Sequence, residues 1–182
     1  MKPRALRPGS RIALIAPAGP LVEGAVERAE QRVRELGWEP LTARHARARH
    51  GYLAGTDRER LADLQEAVES PDNDGIWCLR GGYGTMRLLP ELDLTALRER
   101  PRPLIGFSDN TALHLLARRT GVVSFHGPHP AAENVSRFSL DGLKSLLEQP
   151  ERSMGSLPLP EGHPPVVQIV GGTATGPLVG GN

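Results

Sequence analysis

Ser108 stands where an apolar strand hands over to a helix, in Pro103-Leu104-Ile105-Gly106-Phe107-Ser108-Asp109-Asn110-Thr111. A strand, a sharp turn and a helix in that order make a nucleophile elbow. The turn lifts the serine hydroxyl above the sheet edge, at a helix N-terminus whose dipole and free N–H groups favour developing negative charge. Gly106 keeps the approach to that turn uncrowded. The chemistry such an arrangement offers is attack by the hydroxyl on an electrophilic centre. The same residue types have a plainer use, since Ser, Asp and Asn are the ordinary N-caps of helices, and any of Ser108, Asp109 or Asn110 fits that role. Asn110 also occupies the place of the second glycine in G-x-S-x-G, which disfavours an α/β-hydrolase.

A second constellation, Arg80-Gly81-Gly82-Tyr83-Gly84, ends the apolar run 76–79. Three glycines in five positions permit positive φ and close backbone approach, so the N–H groups can turn toward a phosphate or an oxyanion. Neither a P-loop Lys-Ser/Thr nor a G-x-G-x-x-G spacing is present, which makes a nucleotide-binding domain the weaker alternative, and a plain tight turn fits equally well. Of the histidines, His114 follows Ser108 by six residues inside the next helix, directed away from the elbow or into packing. His126, in Phe125-His126-Gly127-Pro128 beyond a neighbouring strand, could line the site and is the alternative base. His129 and His163 fall in Pro-rich loops, and His45 and His50 in a polar, Arg-rich stretch. No histidine pair has metal-ligand spacing on a helix, so neither a metal nor another cofactor is expected. Cys78 is the single cysteine, which excludes an internal disulfide; within an apolar run it reads as a small core residue.

The elements that must position these loops alternate. Residues 11–16 read as a buried strand stopped by Pro17 and Gly19. Apolar positions 22, 25, 26, 29, 33 and 36 mark one helix face, closed by Gly37. A weaker strand is expected over 39–43, a helix over 57–69, a strand over 76–79, and a short helix from Thr85. Then follow a strand over 104–107, a helix over 111–119 closed by Gly121, a strand over 122–125 and an amphipathic helix over 140–147. This alternation predicts an α/β fold, a parallel sheet with helices packed on its faces, over residues 1–149. Prolines 150, 158, 160, 164 and 165 suggest a linker over 150–165. A fresh strand over 166–170 and a Gly- and Thr-rich tail to Asn182 read as the start of a second, mostly β domain that continues downstream.

The charge is nearly balanced, with 22 Lys and Arg against 21 Asp and Glu, which gives no electrostatic reason to expect nucleic acid. The arginines are scattered and read as solvated helix surface. No apolar stretch approaches the roughly 20 residues that span a bilayer, and the start is no secretory leader, so no membrane partner is expected and the cytoplasm is the default.

Five segments in order resemble the N-terminal part of the bacterial LD-carboxypeptidases, serine peptidases of cell-wall peptide recycling, a family that includes microcin-immunity peptidases. They are Ile15-Ala16-Pro17-Ala18-Gly19-Pro20; Gly51-Tyr52-Leu53-Ala54-Gly55-Thr56-Asp57 with Arg60 and Leu64; Arg80-Gly81-Gly82-Tyr83-Gly84; Ile105-Gly106-Phe107-Ser108-Asp109; and Phe125-His126-Gly127-Pro128. The resemblance implies a Rossmann-like or flavodoxin-like sheet with Ser108 as nucleophile. It also implies an oxyanion hole from the backbone N–H groups of Asp109 and Gly82, with Gly81, Tyr83 and His126 toward the substrate. The family's catalytic Glu and His come from the C-terminal domain, beyond Asn182. The implied substrate is a murein-derived peptide, cleaved at the L,D-bond before its terminal D-amino acid, and a homodimer is expected. The immunity branch would instead cleave an acyl-sulfamoyl-adenylate conjugate. A binding module that keeps the elbow but lacks the base is the reading from another class.

Overall fold

A computed structural model of the chain describes residues 1–151, 159–165, 167 and 169–176. Along it run β1 (Arg11–Ile15), α1 (Ala25–Glu35), β2 (Glu39–Thr42), α2 (Asp57–Glu69) and β3 (Gly75–Cys78). After a single helical turn at Thr85–Arg87 come α3 (Thr95–Glu99), β4 (Leu104–Gly106), a second such turn at Ser108–Asn110, α4 (Thr111–Arg119), β5 (Phe125–His126) and α5 (Arg137–Glu148). Every strand pair is parallel and the order is β2-β1-β3-β4-β5, the flavodoxin-like arrangement. The chain therefore reverses its winding between β1 and β3. The loops leaving those two strands flank a crevice at the carboxyl edge of the sheet, where open α/β sheets place their sites.

The central strands β1, β3 and β4 are almost wholly apolar and buried because helices cover both faces, whereas the edge strands β2 and β5 are partly exposed. On one face Ile12, Leu14, Trp77 and Ile105 pack against Val33 of α1 and Leu143 and Leu147 of α5. On the other, Ala13, Ile15, Ile76, Cys78 and Leu104 pack against Leu64 of α2, Leu97 of α3 and Leu113 of α4. Cys78 is the buried core residue its neighbours suggest, and burial pushes its thiol pKa far up, so it is inert.

Three local expectations change. The strand expected over 122–125 is confined to Phe125–His126, because the chain is still closing α4 at Val122. Gly121 takes a φ of 80°, and the Val122 N–H reaches back to the Ala117 carbonyl at 2.9 Å. Helix α3 was not expected, since five residues are too few to display a helical period. The arginines are not all solvated. Arg60 and Arg102 are buried, and Arg102 closes the C-terminal end of α2 by donating to the carbonyls of Val68 (2.9 Å) and Ser70 (2.6 Å) and to Asn73 Oδ1 (2.8 Å). The linker and the strand expected over 166–170 fall in part outside the described residues. Val167, Ile169 and Val170 are exposed and lie in no strand.

Candidate active site

Ser108 opens the turn from β4 into α4, and among the described residues it alone, apart from glycines, has a positive φ, 57°. An L-residue there costs about 1–2 kcal/mol, which the surroundings must offset. The offset comes from close packing around the turn. A Cβ on Gly106 would lie 2.8 Å from the Asn110 Cβ, so only glycine lets the strand end meet the helix start this closely. Asn110 is fully buried; its Nδ2 donates to the carbonyls of Arg80 (3.1 Å) and Phe107 (3.2 Å), and its Oδ1 accepts from Thr85 Oγ1 (3.3 Å). The Asp109 carboxylate accepts from the Thr85 N–H at 2.9 Å. No side chain caps α4. The polar residues of the elbow therefore tie it to the glycine loop, and the capping role open to them in the sequence goes unused.

That loop lies directly against the serine. A Cβ on Gly81 would stand 2.8 Å from the Ser108 Cβ and 3.1 Å from its Oγ. Gly82 has a φ of 122°, and the Gly19 N–H donates to the Gly81 carbonyl at 3.0 Å. Behind the loop, buried Arg60 donates through Nη1 to the carbonyls of Pro17 and Gly84, and pairs with Asp57 through Nη2. Gly84 has a φ of 114°, which glycine alone adopts readily, and an added Cβ would also press on Leu53 Cδ2 and the Arg60 guanidinium. The Ala54 N–H completes the junction by donating to the Ala18 carbonyl at 2.9 Å. On the far side the Trp77 indole donates to the Pro128 carbonyl (2.8 Å) and the Gly127 N–H to the Gly106 carbonyl (2.9 Å). All five sequence segments thus converge on one sheet edge, linked by hydrogen bonds to one another and through Gly81 to Ser108.

The comparisons with known proteins point the same way. Residues 12–127 match the model of the LD-carboxypeptidase N-terminal domain. The chain belongs to the LD-carboxypeptidase family. A murein tetrapeptide carboxypeptidase of Pseudomonas aeruginosa is 40% identical over 181 residues, which cover 94% of this chain and 57% of that protein. The crystal structure of a muramoyltetrapeptide carboxypeptidase from Oxalobacter formigenes superposes with a TM-score of 0.70 at 32% identity, over 78% of this chain and 49% of the other. The microcin self-immunity protein MccF gives 0.74 at 25% identity, over 82% and 47%. The chain thus spans little more than half the length of the curated relative.

Within this LD-carboxypeptidase domain the remaining residues are placed as follows. Tyr83 is exposed and its ring lies 5.8 Å from that of Tyr52, so two motif tyrosines stand together at the surface. His126 is exposed, 4.9 Å from the Phe107 ring and 5.9 Å from that of His114. His114 is directed into packing, its Nδ1 on Ser124 Oγ (2.9 Å) and its Nε2 on the Gly106 carbonyl (3.1 Å). His129, set aside in the sequence as a loop residue, is the one brought to the elbow. Its Nε2 lies 3.0 Å from Asn110 Nδ2, and its Cε1 would be 3.2 Å from a Cβ on Gly81. Burial holds its pKa down at about 4, aided by Arg80 and His126 and opposed by a hydrogen bond with the Phe107 backbone. Two prolines flank it, and nothing in its spacing relative to Ser108 announces the contact.

Proposed function

We propose that this chain carries the nucleophile of a serine LD-carboxypeptidase that removes the terminal D-amino acid from murein-derived tetrapeptides. The observation that supports this reading most is the left-handed Ser108 with Gly81 packed directly against its side chain. In the reaction, Ser108 Oγ attacks the carbonyl carbon of the L,D-bond while a base takes its proton. The oxyanion formed is held by the N–H groups of Asp109 and Gly82, preorganised donors of the kind that stabilise such charge most effectively. Collapse returns the proton to the leaving amine, the D-amino acid departs, and water repeats the sequence on the acyl-enzyme. The base and its acid partner, His and Glu, come from the C-terminal part that longer relatives possess. Gly81, Tyr83 and His126 line the approach to the serine. The enzyme works as a homodimer in the cytoplasm.

The full-length enzyme, assayed on an L,D-tetrapeptide, should release the terminal D-amino acid, and Ser108→Ala should reduce kcat by about 10⁶ without changing the fold. Near-normal turnover by that variant would overturn the assignment. The fold shared with MccF keeps a second substrate in view, an acyl-sulfamoyl-adenylate conjugate, and hydrolysis of it in preference to the tetrapeptide would decide for that branch.

A further inference from the structure

We propose that His129 is a positioning residue for the nucleophile, a neutral imidazole with its proton on Nδ1 whose bare Nε2 accepts a hydrogen bond from the Asn110 carboxamide. Only the kinetic part of this proposal rests on the hydrolase reading above.

The protonation pattern follows from what surrounds Asn110. Its Nδ2 is within reach of the Arg80 carbonyl at 3.1 Å and the Phe107 carbonyl at 3.2 Å. Carbonyl oxygens only accept, so the atom facing them is the amide nitrogen and not its oxygen. The opposite end agrees, because Oδ1 accepts from the Thr85 hydroxyl at 3.3 Å. The carboxamide orientation is therefore fixed before His129 is considered. Nδ2 carries two hydrogens: one points to the Arg80 carbonyl, and the other is shared between the Phe107 carbonyl and His129 Nε2, 3.0 Å away, so Nε2 takes the acceptor role and the ring proton sits on Nδ1. An imidazolium would put two donors face to face at a fully buried amide. Around the ring, burial disfavours charge most, the Phe107 backbone favours it, and Arg80 and His126 act against it, while the Phe107 ring meets the imidazole edge-on at 5.5 Å.

Two consequences reach the serine. Asn110 joins β3's exit, through the Arg80 carbonyl, to β4's exit, through the Phe107 carbonyl, so locking its amide locks the glycine loop to the elbow. The His129 ring and the Ser108 side chain also flank Gly81 on the same face, since one point, an added Gly81 Cβ, would be 3.2 Å from His129 Cε1 and 3.1 Å from Ser108 Oγ. With Nε2 engaged by Asn110, His129 is not the general base. It acts through Asn110 and Gly81 on the angle between hydroxyl and oxyanion donors.

Imidazole ¹⁵N NMR of the full-length protein tests the protonation directly, without a substrate. The expected result is the Nδ1–H tautomer, with no protonation of His129 between pH 8 and roughly pH 5. An Nε2–H tautomer, or titration near the ordinary 6.5, would overturn the proposal. Kinetics supply the second arm. His129→Leu, which removes the acceptor, should lower kcat by about 10- to 100-fold, as expected when a reacting group is misplaced, and leave KM within about twofold. His129→Gln, which can return an amide oxygen to the Nε2 position, should restore most of the loss. Unchanged kcat in His129→Leu, or no recovery in a folded His129→Gln, would count against a positioning role. If His129→Leu does not fold, the NMR result on the unmodified protein still decides. If the unmodified enzyme hydrolyses nothing, the proposed function fails while the tautomer remains testable.

Discussion

At the scale of single residues, Ser108 shows a conflict between stability and chemistry. A φ of 57° suits glycine, but the proposed reaction needs the hydroxyl that a serine there supplies. Ser108→Gly should therefore be more stable than Ser108→Ala by about 1 kcal/mol, both being inactive, because glycine alone accepts that backbone without strain. Urea unfolding of the two variants checks this, and equal midpoints would remove the strain reading. Gly81 makes the complementary case. A methyl group there would overlap the Ser108 side chain at 2.8 Å, so Gly81→Ala should cost about 1–3 kcal/mol from overpacking and lower kcat by roughly 100-fold. Here unfolding and kinetics measured together give the answer, and a fully active variant would show that loop and serine are not in contact.

At the scale of elements, the N-terminal end of α2 separates a residue that only builds the helix from one that also serves the site. Thr56 and Glu59 form a capping box, the Glu59 carboxylate accepting from the Thr56 N–H at 2.8 Å. Thr56→Ala should cost about 1 kcal/mol and leave kcat nearly unchanged. Arg60, one turn further on, ties α2 to the loops after β1 and β3 through the carbonyls of Pro17 and Gly84. Arg60→Met would leave those carbonyls without their donor and Asp57 without one of its two arginines, at a cost of roughly 2–4 kcal/mol. It should also lower kcat, because the loop it secures is the one against Ser108. A variant destabilised to this extent yet fully active at low temperature would confine Arg60 to the helix.

At the scale of the whole molecule, half-buried histidines held neutral make stability depend on pH. His129 is held at about 4 against an ordinary 6.5, and burial also lowers His114. The unfolded chain therefore binds more protons than the folded one between those values, and stability rises with pH across that window. The His129 contribution is fully present above pH 6.5 and is lost as pH falls toward 4, and His114 acts in the same direction. The expected result is a Tm lower at pH 5 than at pH 7, with a shallower slope in His129→Gln. An identical slope in the variant would show that His129 does not carry the effect.

The sequence by itself determined the parallel α/β layout, because strands covered on both faces must be apolar throughout and helices between them must show a 3.6-residue period. It also determined the place of Ser108 at a strand-to-helix turn, since Gly106 and the residues 108–111 encode that turn locally. Its helix 57–69 coincides with α2, whose ends are written in Thr56, Glu59 and the Ser70–Pro71 stop. What only the tertiary structure decided are contacts between residues far apart in the chain. Arg60 looks like any charged helix residue until the loops after β1 and β3 enclose it. Asn110 looks like a cap until Arg80 and Phe107 present their carbonyls to it. His129 sits between prolines with no period to betray it, and it reaches the elbow because parallel strand order brings the exits of β3, β4 and β5 to one edge. Local patterns encode elements, whereas a site gathered from several strand exits depends on the order in which those strands pair.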